Sequence, residues 1–196
     1  NGNSLAGAEL LLGVTGSIAL YKAADLASKL VQQGALVNVV MTQNALEFIT
    51  PLTFGSLTHR PVLHKLFDPE SELGINHVAL AENSAAILVA PATADIIAKA
   101  ANGLADDLLS CILLATRRPV ILAPAMDGFM WDNPATQENL SRLQKRGWGF
   151  VGPVEGRLAS GLIGKGRLAS SDHIIGGVKQ TLGKNGDLDG KTVLVT

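Results

Sequence analysis

Cysteine occurs once in the 196 residues, at Cys111. A single thiol excludes an internal disulfide framework and any zinc site built on cysteines. Charge is also scarce: charged residues make up 17% of the chain, with 16 Lys+Arg against 17 Asp+Glu and a net charge of -1. Ordinary soluble domains carry about 25%. With no positive excess and no Lys/Arg run, the chain lacks the electrostatic footprint of a nucleic-acid binder. So little charge also points to surface hidden against other subunits. No apolar run reaches the ~18–20 residues of a membrane span. The N-terminal residues lack the basic segment and cleavage site of a signal peptide. No two histidines have metal-ligand spacing, so no metal site is expected. The expectation is a soluble, cytoplasmic, globular protein. A chain of this size forms one compact domain that buries roughly 70% of its unfolded surface.

Short apolar runs alternate with longer amphipathic stretches. Leu10–Val14, Leu36–Met41, Ala85–Ala90 and Val120–Ala123 read as strands buried on both faces. Ala19–Gln33, Ala94–Ala101, Asp106–Thr116 and Pro134–Arg146 carry apolar residues at helical spacing. Gly34 and Gly147 sit where helices stop, and Asp132–Asn133–Pro134 offers a cap followed by proline in the first turn. This order predicts an α/β fold: a doubly wound, mainly parallel, Rossmann-like sheet in three layers. In such sheets ligands lie beyond the carboxyl ends of the strands.

Those ends carry small and hydrogen-bonding residues. After the first strand comes Gly13–Val14–Thr15–Gly16–Ser17–Ile18–Ala19. Glycine lets backbone approach a phosphate, the following helix start offers free N–H groups, and Ser17 adds a hydroxyl. The pattern is neither G-x-G-x-x-G nor a Walker loop, so NAD and ATP are poorly supported. The second strand ends in Thr42–Gln43–Asn44, the third in Pro91–Ala92–Thr93–Ala94–Asp95, the fourth in Pro124–Ala125–Met126–Asp127. Four such ends on one edge predict a ligand crevice.

His77 is polar within the apolar stretch Ile75–Leu80, just before a helix-like segment; taken alone, it reads as a structural histidine. His59, His64 and His173 are expected to face solvent. Met126, Phe129, Met130 and Trp131 form an apolar patch that fits core filling or a cover for a flat aromatic cofactor. Arg157–Arg167 holds three glycines between basic ends and reads as a mobile surface loop or as a flap over a ligand.

Together these segments resemble the flavin-dependent cysteine decarboxylase family, most closely its phosphopantothenoylcysteine-specific branch as found in the first domain of bacterial bifunctional coenzyme A biosynthesis enzymes. Gly16–Ser17–Ile18–Ala19 is similar to the family's flavin-phosphate turn, and Ile75–Asn76–His77–Val78 to the segment with its active-site histidine. Pro124–Trp131 follows P-x-M-N-x-x-M-W with one change. Arg157–Arg167 follows the substrate clamp G-x-L-A-C-G-x-x-G-x-G-R, again with one change.

The resemblance spans about residues 8 to 180. It implies bound FMN, with Gly16, Ser17, Ile18, Thr42, Gln43, Asn44, Thr93, Ala94, Asp95, Ile96 and Ala125 around it. It also implies a substrate held by Asp127, Met130, Arg157, Leu158 and Ala159, with His77 and Ser160 as proton-transfer residues. The implied assembly is a homotrimer, four of which form a dodecamer in the bifunctional proteins. The implied reaction converts 4′-phosphopantothenoylcysteine to 4′-phosphopantetheine and CO2. Residues 8–182 would form the FMN-binding decarboxylase domain, and 183–190 a polar linker. Residues 189–196 resemble the start of a synthetase (ligase) domain, and 191–196 would form the first strand of that truncated second domain.

Two positions depart from the family. Asp127 stands where Asn usually holds the substrate carboxylate; an ionised Asp only accepts hydrogen bonds and repels another carboxylate. Protonation of Asp127, or screening by Arg157 or Arg167, would remove that conflict. Ser160 stands where a cysteine is the implied proton donor, and an alcohol is a far weaker acid than a thiol of pKa ~8.5. The expectation is a compensating pair, with the carboxylic acid supplying protons the thiol would otherwise give. Asp95, where Asn is common beside the flavin, is a lesser departure. Competing expectations are a peptidyl-cysteine decarboxylase, prenyl transfer to flavin (disfavoured by His77 and the clamp), and a flavin-binding regulatory subunit without turnover.

Overall fold

The computed structural model describes residues 4–66, 77–161 and 163–183, and of His77 only the backbone. Among them, six strands form one parallel sheet: β1 (Glu9–Val14), β2 (Leu36–Met41), β3 (Val62–Leu63), β4 (Ala86–Ala92), β5 (Val120–Pro124) and β6 (Gly149–Phe150). Their order is β3-β2-β1-β4-β5-β6. The chain leaves β1 for β2 on one side and later returns to β4 on the other. Adjacent β1 and β4 are therefore where the connections part, the place where a crevice opens in such sheets.

Alternation along the strands builds two cores, one on each face. Leu10, Leu12 and Val14 of β1, with Leu88 of β4, face a core closed by Leu26 and Leu30 of α1 (Tyr21–Gln32) and Ile174 and Val178 of α9 (Ser171–Leu182). Leu11, Ile87 and Val89 face the opposite core. It is closed by Ile96 and Ile97 of α5 (Ala94–Asn102), Leu109 and Ile112 of α6 (Leu108–Ala115) and Leu140 and Leu143 of α8 (Pro134–Lys145). Each of these leucines, buried on both faces of the sheet, contributes ~1.5–3 kcal/mol.

The helix limits follow local chemistry. A 3-10 turn at Ile18–Leu20 leads into α1, and Gly34 (φ 88°) and Gly147 (φ 84°) take the left-handed conformation just past α1 and α8. Asn133 caps α8 by accepting the Ala135 N–H, with proline in the first turn. Asp107 and Ser110 form a reciprocal cap on α6.

Elements absent from the sequence expectations are short α2 (Gln43–Leu46), α3 (Pro51–Thr58), α7 (Gly128–Asp132), α9, the edge strands β3 and β6, and an antiparallel hairpin, β7 (Val154–Arg157) with β8 (Ile163–Arg167). The segment 157–167, expected as a mobile surface loop or a flap, is built on a strand pairing: Glu155 to Arg157 pair with Lys165 to Ile163, and residues 158–161 lie outside the strands. A second correction concerns His64, which is half-buried, its Nδ1 enclosed and without a hydrogen-bond partner among the described residues. It lies between Leu63 and Leu66, both packed on a core, and is drawn inward with them. His59 and His173 are exposed. The helix α4 (His77–Asn83) begins at His77, whose side chain lies outside the described residues, as do residues 184–196, which include the linker from Lys184 onward and the expected strand 191–196.

Candidate functional site

The end of β1 is fastened to the end of β4 by a buried hydroxyl. Thr15 Oγ1 donates to the Pro91 carbonyl at 2.7 Å and accepts the Thr93 N–H at 3.3 Å. Next comes Gly16, where a Cβ would stand 2.6 Å from the Asn44 Cβ and 2.8 Å from its carbonyl. Only glycine lets this turn close against α2. Ser17 Oγ accepts the Ala19 N–H at 3.2 Å, which leaves its own proton free to donate.

At the end of β2, Thr42 donates its N–H to Val14, while Gln43 and Asn44 are exposed beside that turn. At the end of β4, Thr93 caps α5 by accepting the Ile96 N–H. Ile96 itself is 1% exposed and its N–H is already taken by Thr93, so it packs into the core behind the rim. Asp95 is exposed and pairs with Lys99 Nζ at 3.6 Å, and the same ammonium reaches Asp106 at 2.9 Å and Asp107 at 3.2 Å. Lys99 thus sets one positive charge among three carboxylates; burial lowers its pKa, but the hydrogen bonds to Asp106 and Asp107 and the charges of Asp107 and Asp95 raise it overall.

After β5 the chain meets the hairpin. Ala125 is buried and donates to the Ala92 carbonyl at 3.0 Å; Met126 donates to the Gly166 carbonyl at 3.0 Å. Asp127 caps α7, its Oδ1 accepting the Phe129 N–H at 3.0 Å, and its Oδ2 accepts the Ser160 hydroxyl at 2.8 Å. Phe129 and Met130 are 78% and 49% exposed, which corrects core filling for these two. Met126 and Trp131 are half-buried against the second core. Lys165 Nζ lies 5.6 Å from the Trp131 ring and braces α7 against β8.

These pieces enclose a cavity of about 690 Å3, within the range that takes a drug-sized ligand. Of the residues expected from the sequence, Ser17, Ile18, Ala125, Asp127, Arg157, Leu158, Ala159 and Ser160 line it. Gly16, Thr42, Gln43, Asn44, Thr93, Ala94, Asp95 and Ile96 stand on adjoining strand ends outside that lining, and Met130 lies on exposed α7. Tyr21, Lys22, Gly166 and Leu168 also line the cavity without having been singled out, and Arg167 joins them. The signal for Tyr21 and Lys22 was helical spacing: they lie three and four residues past Ile18 and share its face. Burial, then the nearby Arg167 guanidinium, hold the Lys22 pKa below its ordinary value. Three cations, Lys22, Arg157 and Arg167, thus face one carboxylate, Asp127, a wall suited to an anionic guest. Among the described residues no group of three His, Cys, Asp or Glu could hold a metal, and no helix is long and apolar enough to cross a membrane.

A profile of the flavoprotein family matches residues 1–183. The coenzyme A biosynthesis bifunctional protein CoaBC of Vibrio cholerae is 46% identical over 193 residues, 98% of this chain and 48% of that relative. The protein of the same description from Bacillus subtilis is 44% identical over 189 residues, 95% of this chain and 47% of that one. The chain therefore spans about half the length of the curated relatives it matches. Among solved structures, a PPC decarboxylase with a cysteine-to-serine substitution, complexed with pantothenoylaminoethenethiol, superposes with a TM-score of 0.78 at 30% identity. That match covers 88% of this chain and 97% of the other.

Proposed function

The chain belongs to the flavoprotein family, and on that footing we propose that it is an FMN-dependent decarboxylase converting 4′-phosphopantothenoylcysteine to 4′-phosphopantetheine and CO2 in coenzyme A biosynthesis. The observation that carries this reading is a single cavity joining the Ser17–Ile18 turn to the Asp127–Ser160 pair. The fit to FMN rests on the turn: Gly16 is seated where any side chain would collide with Asn44, and the Ser17 proton is free for a phosphate oxygen. Gly16, Ser17 and Ile18 would hold the phosphate. Thr42, Gln43, Asn44, Thr93, Ala94, Asp95, Ile96 and Ala125 would flank the remainder.

Bound FMN supplies a transient two-electron oxidation of the substrate's Cβ–SH unit, which gives the leaving carboxylate an electron sink and is reversed afterwards. The chain's own residues bind and move protons. Arg157, Arg167 and Lys22 favour a substrate carrying both carboxylate and phosphate. Leu158 and Ala159 at the hairpin tip, with Met130, would enclose the cysteine end, and Asp127 with Ser160 faces its carboxylate. His77 would exchange the protons of the oxidation step, where an imidazole suits neutral pH.

The proposed catalytic unit is residues 8–182. We further propose that it works in the cytoplasm as a homotrimer, and within a dodecamer in bifunctional form. Ile18 and Tyr21, 62% and 64% exposed on the cavity wall, are apolar groups that a second copy would cover. Purified protein is expected to show a flavin absorption spectrum, to sediment as three copies and to release CO2 from the phosphopantothenoyl substrate faster than from a peptide ending in cysteine. Colourless protein that does not take up FMN would refute the reading. A yellow protein that binds substrate without bleaching or CO2 release would be a silent binder.

A further inference from the structure

We propose that Asp127 and Ser160 act as one proton carrier: Asp127 takes up a proton from solvent as the substrate's carboxylate enters, and Ser160 passes it to the carbon that CO2 leaves. The inference rests on the decarboxylase reading and goes beyond it by giving the two departures from the family one shared task.

The geometry fixes where that proton sits. Oδ1 of Asp127 already accepts the Phe129 N–H at 3.0 Å, whereas Oδ2 lies 2.8 Å from Ser160 Oγ. A proton on Oδ1 would confront an N–H donor; a proton on Oδ2 meets a hydroxyl oxygen able to accept it. The Oδ2–Oγ bond therefore has two directions. With Asp127 ionised, the Ser160 hydroxyl donates to the carboxylate and the pair offers the cavity no proton. With Asp127 protonated, Oδ2 donates to Ser160, whose own proton turns toward the cavity.

An incoming carboxylate selects the second state, because two carboxylates at close range cannot both stay ionised without a large penalty. Charges opposing that selection are Lys22 on α1, Arg157 at the end of β7 and Arg167 on β8, all lining the cavity, and Lys165 stacked on Trp131 beside α7. These cations line the same cavity as Asp127, but the carboxylate oxygens of Asp127 are bonded to Phe129 and Ser160. No guanidinium or ammonium is hydrogen-bonded to Asp127 among the described residues.

The step balances. The bond between the carboxylate carbon and its neighbour breaks, CO2 leaves, and the electron pair is delocalised from that neighbouring carbon into the adjacent oxidised sulfur-bearing group. Ser160 O–H forms the new C–H bond while Asp127 Oδ2–H reprotonates Ser160. Asp127 ends as a carboxylate once the substrate's negative charge has gone. In sum R–CO2⁻ + H⁺ gives R–H + CO2, with the one proton drawn from solvent. Ser160 never carries a full negative charge, so an alcohol serves where alone it would be too weak an acid.

The test is calorimetric titration of the FMN-loaded protein at neutral pH in buffers of different ionisation heat. The two ligands are a thiol-free analogue, 4′-phosphopantothenoyl-alanine, and 4′-phosphopantetheine, which lacks the carboxylate. The analogue is expected to take up close to one proton per site and the product none. Asp127→Asn should abolish the uptake while still binding the analogue. Turnover should fall ~10²-fold in Asp127→Asn and in Ser160→Ala, and should recover in Asp127→Asn/Ser160→Cys, where a thiol carries its own proton. Binding without proton uptake, or an Asp127→Asn enzyme of unchanged rate, overturns the paired carrier and leaves the decarboxylase reading standing. Failure to bind the analogue at all overturns both.

Discussion

Thr15 and Pro91 meet across the point where the sheet's connections part: the Thr15 hydroxyl donates to the Pro91 carbonyl at 2.7 Å and accepts from Thr93 at 3.3 Å. Thr15 is 2% exposed, so water does not compete for these groups. One hydroxyl sets the spacing between the Gly16–Ser17 turn and the cap of α5, the two lips of the crevice.

Thr15→Val keeps the shape and removes both hydrogen bonds, leaving a carbonyl and an N–H unpaired. The expected loss is about 1–3 kcal/mol of stability, with FMN affinity lowered because the lips lose their common anchor. Urea unfolding and a flavin fluorescence titration measure the two effects. Unchanged stability would show that the hydroxyl holds nothing.

The sequence disclosed β1, β2, β4 and β5 because strands buried on both faces are written as unbroken apolar runs, as in Leu10–Val14. It concealed α9, whose centre holds Gly176 and Gly177. A Cβ at Gly177 would run into Val151, so close packing of the helix on the chain after β6 demands a residue of poor helix propensity. Glycines likewise disguised the hairpin: Gly156 pairs with Gly164, and the Arg167 side chain lies against Gly156. Ser17, Asp127 and Ser160 were legible because strand ends and motif order mark them. Lys22 was not, since a lysine in the first turn of a helix reads as solvated until the hairpin is placed over it. Its partner Arg167 arrives from 145 residues away in sequence, a distance that local patterns do not span.

Gly166 is the joint of that hairpin. Its φ is 147°, and a Cβ there would collide with the Met126 carbonyl, whose own N–H donates to Gly166. Gly166→Ala is expected to cost about 1–3 kcal/mol of stability through overpacking. It should also lower kcat/KM by ~10²-fold, because the tip bearing Ser160 shifts from Asp127. A thermal melt confirms that the variant remains folded at the assay temperature. A folded variant with wild-type kcat/KM would show that docking at Gly166 does not position the tip.

The Lys22–Arg167 pair gives the protein a pH signature on the alkaline side. Burial first, and then the like charge of Arg167, hold Lys22 below its ordinary pKa of 10.5. The unfolded chain therefore binds more protons than the native one between Lys22's folded titration and 10.5, and stability rises with pH across that window. Below the window, the charged lysine disfavours the fold. Arg167→Gln removes the like charge, so the Lys22 titration should move up toward 10.5 and the alkaline gain should shrink. An anion bound in the cavity should move it the same way in the unmodified protein, by setting a negative charge between the two cations. Titration of the lysine Cε signals by NMR, with and without FMN or inorganic phosphate, follows both shifts. A Lys22 titration unmoved by Arg167→Gln would mean that burial alone sets it and that the two cations do not share a guest.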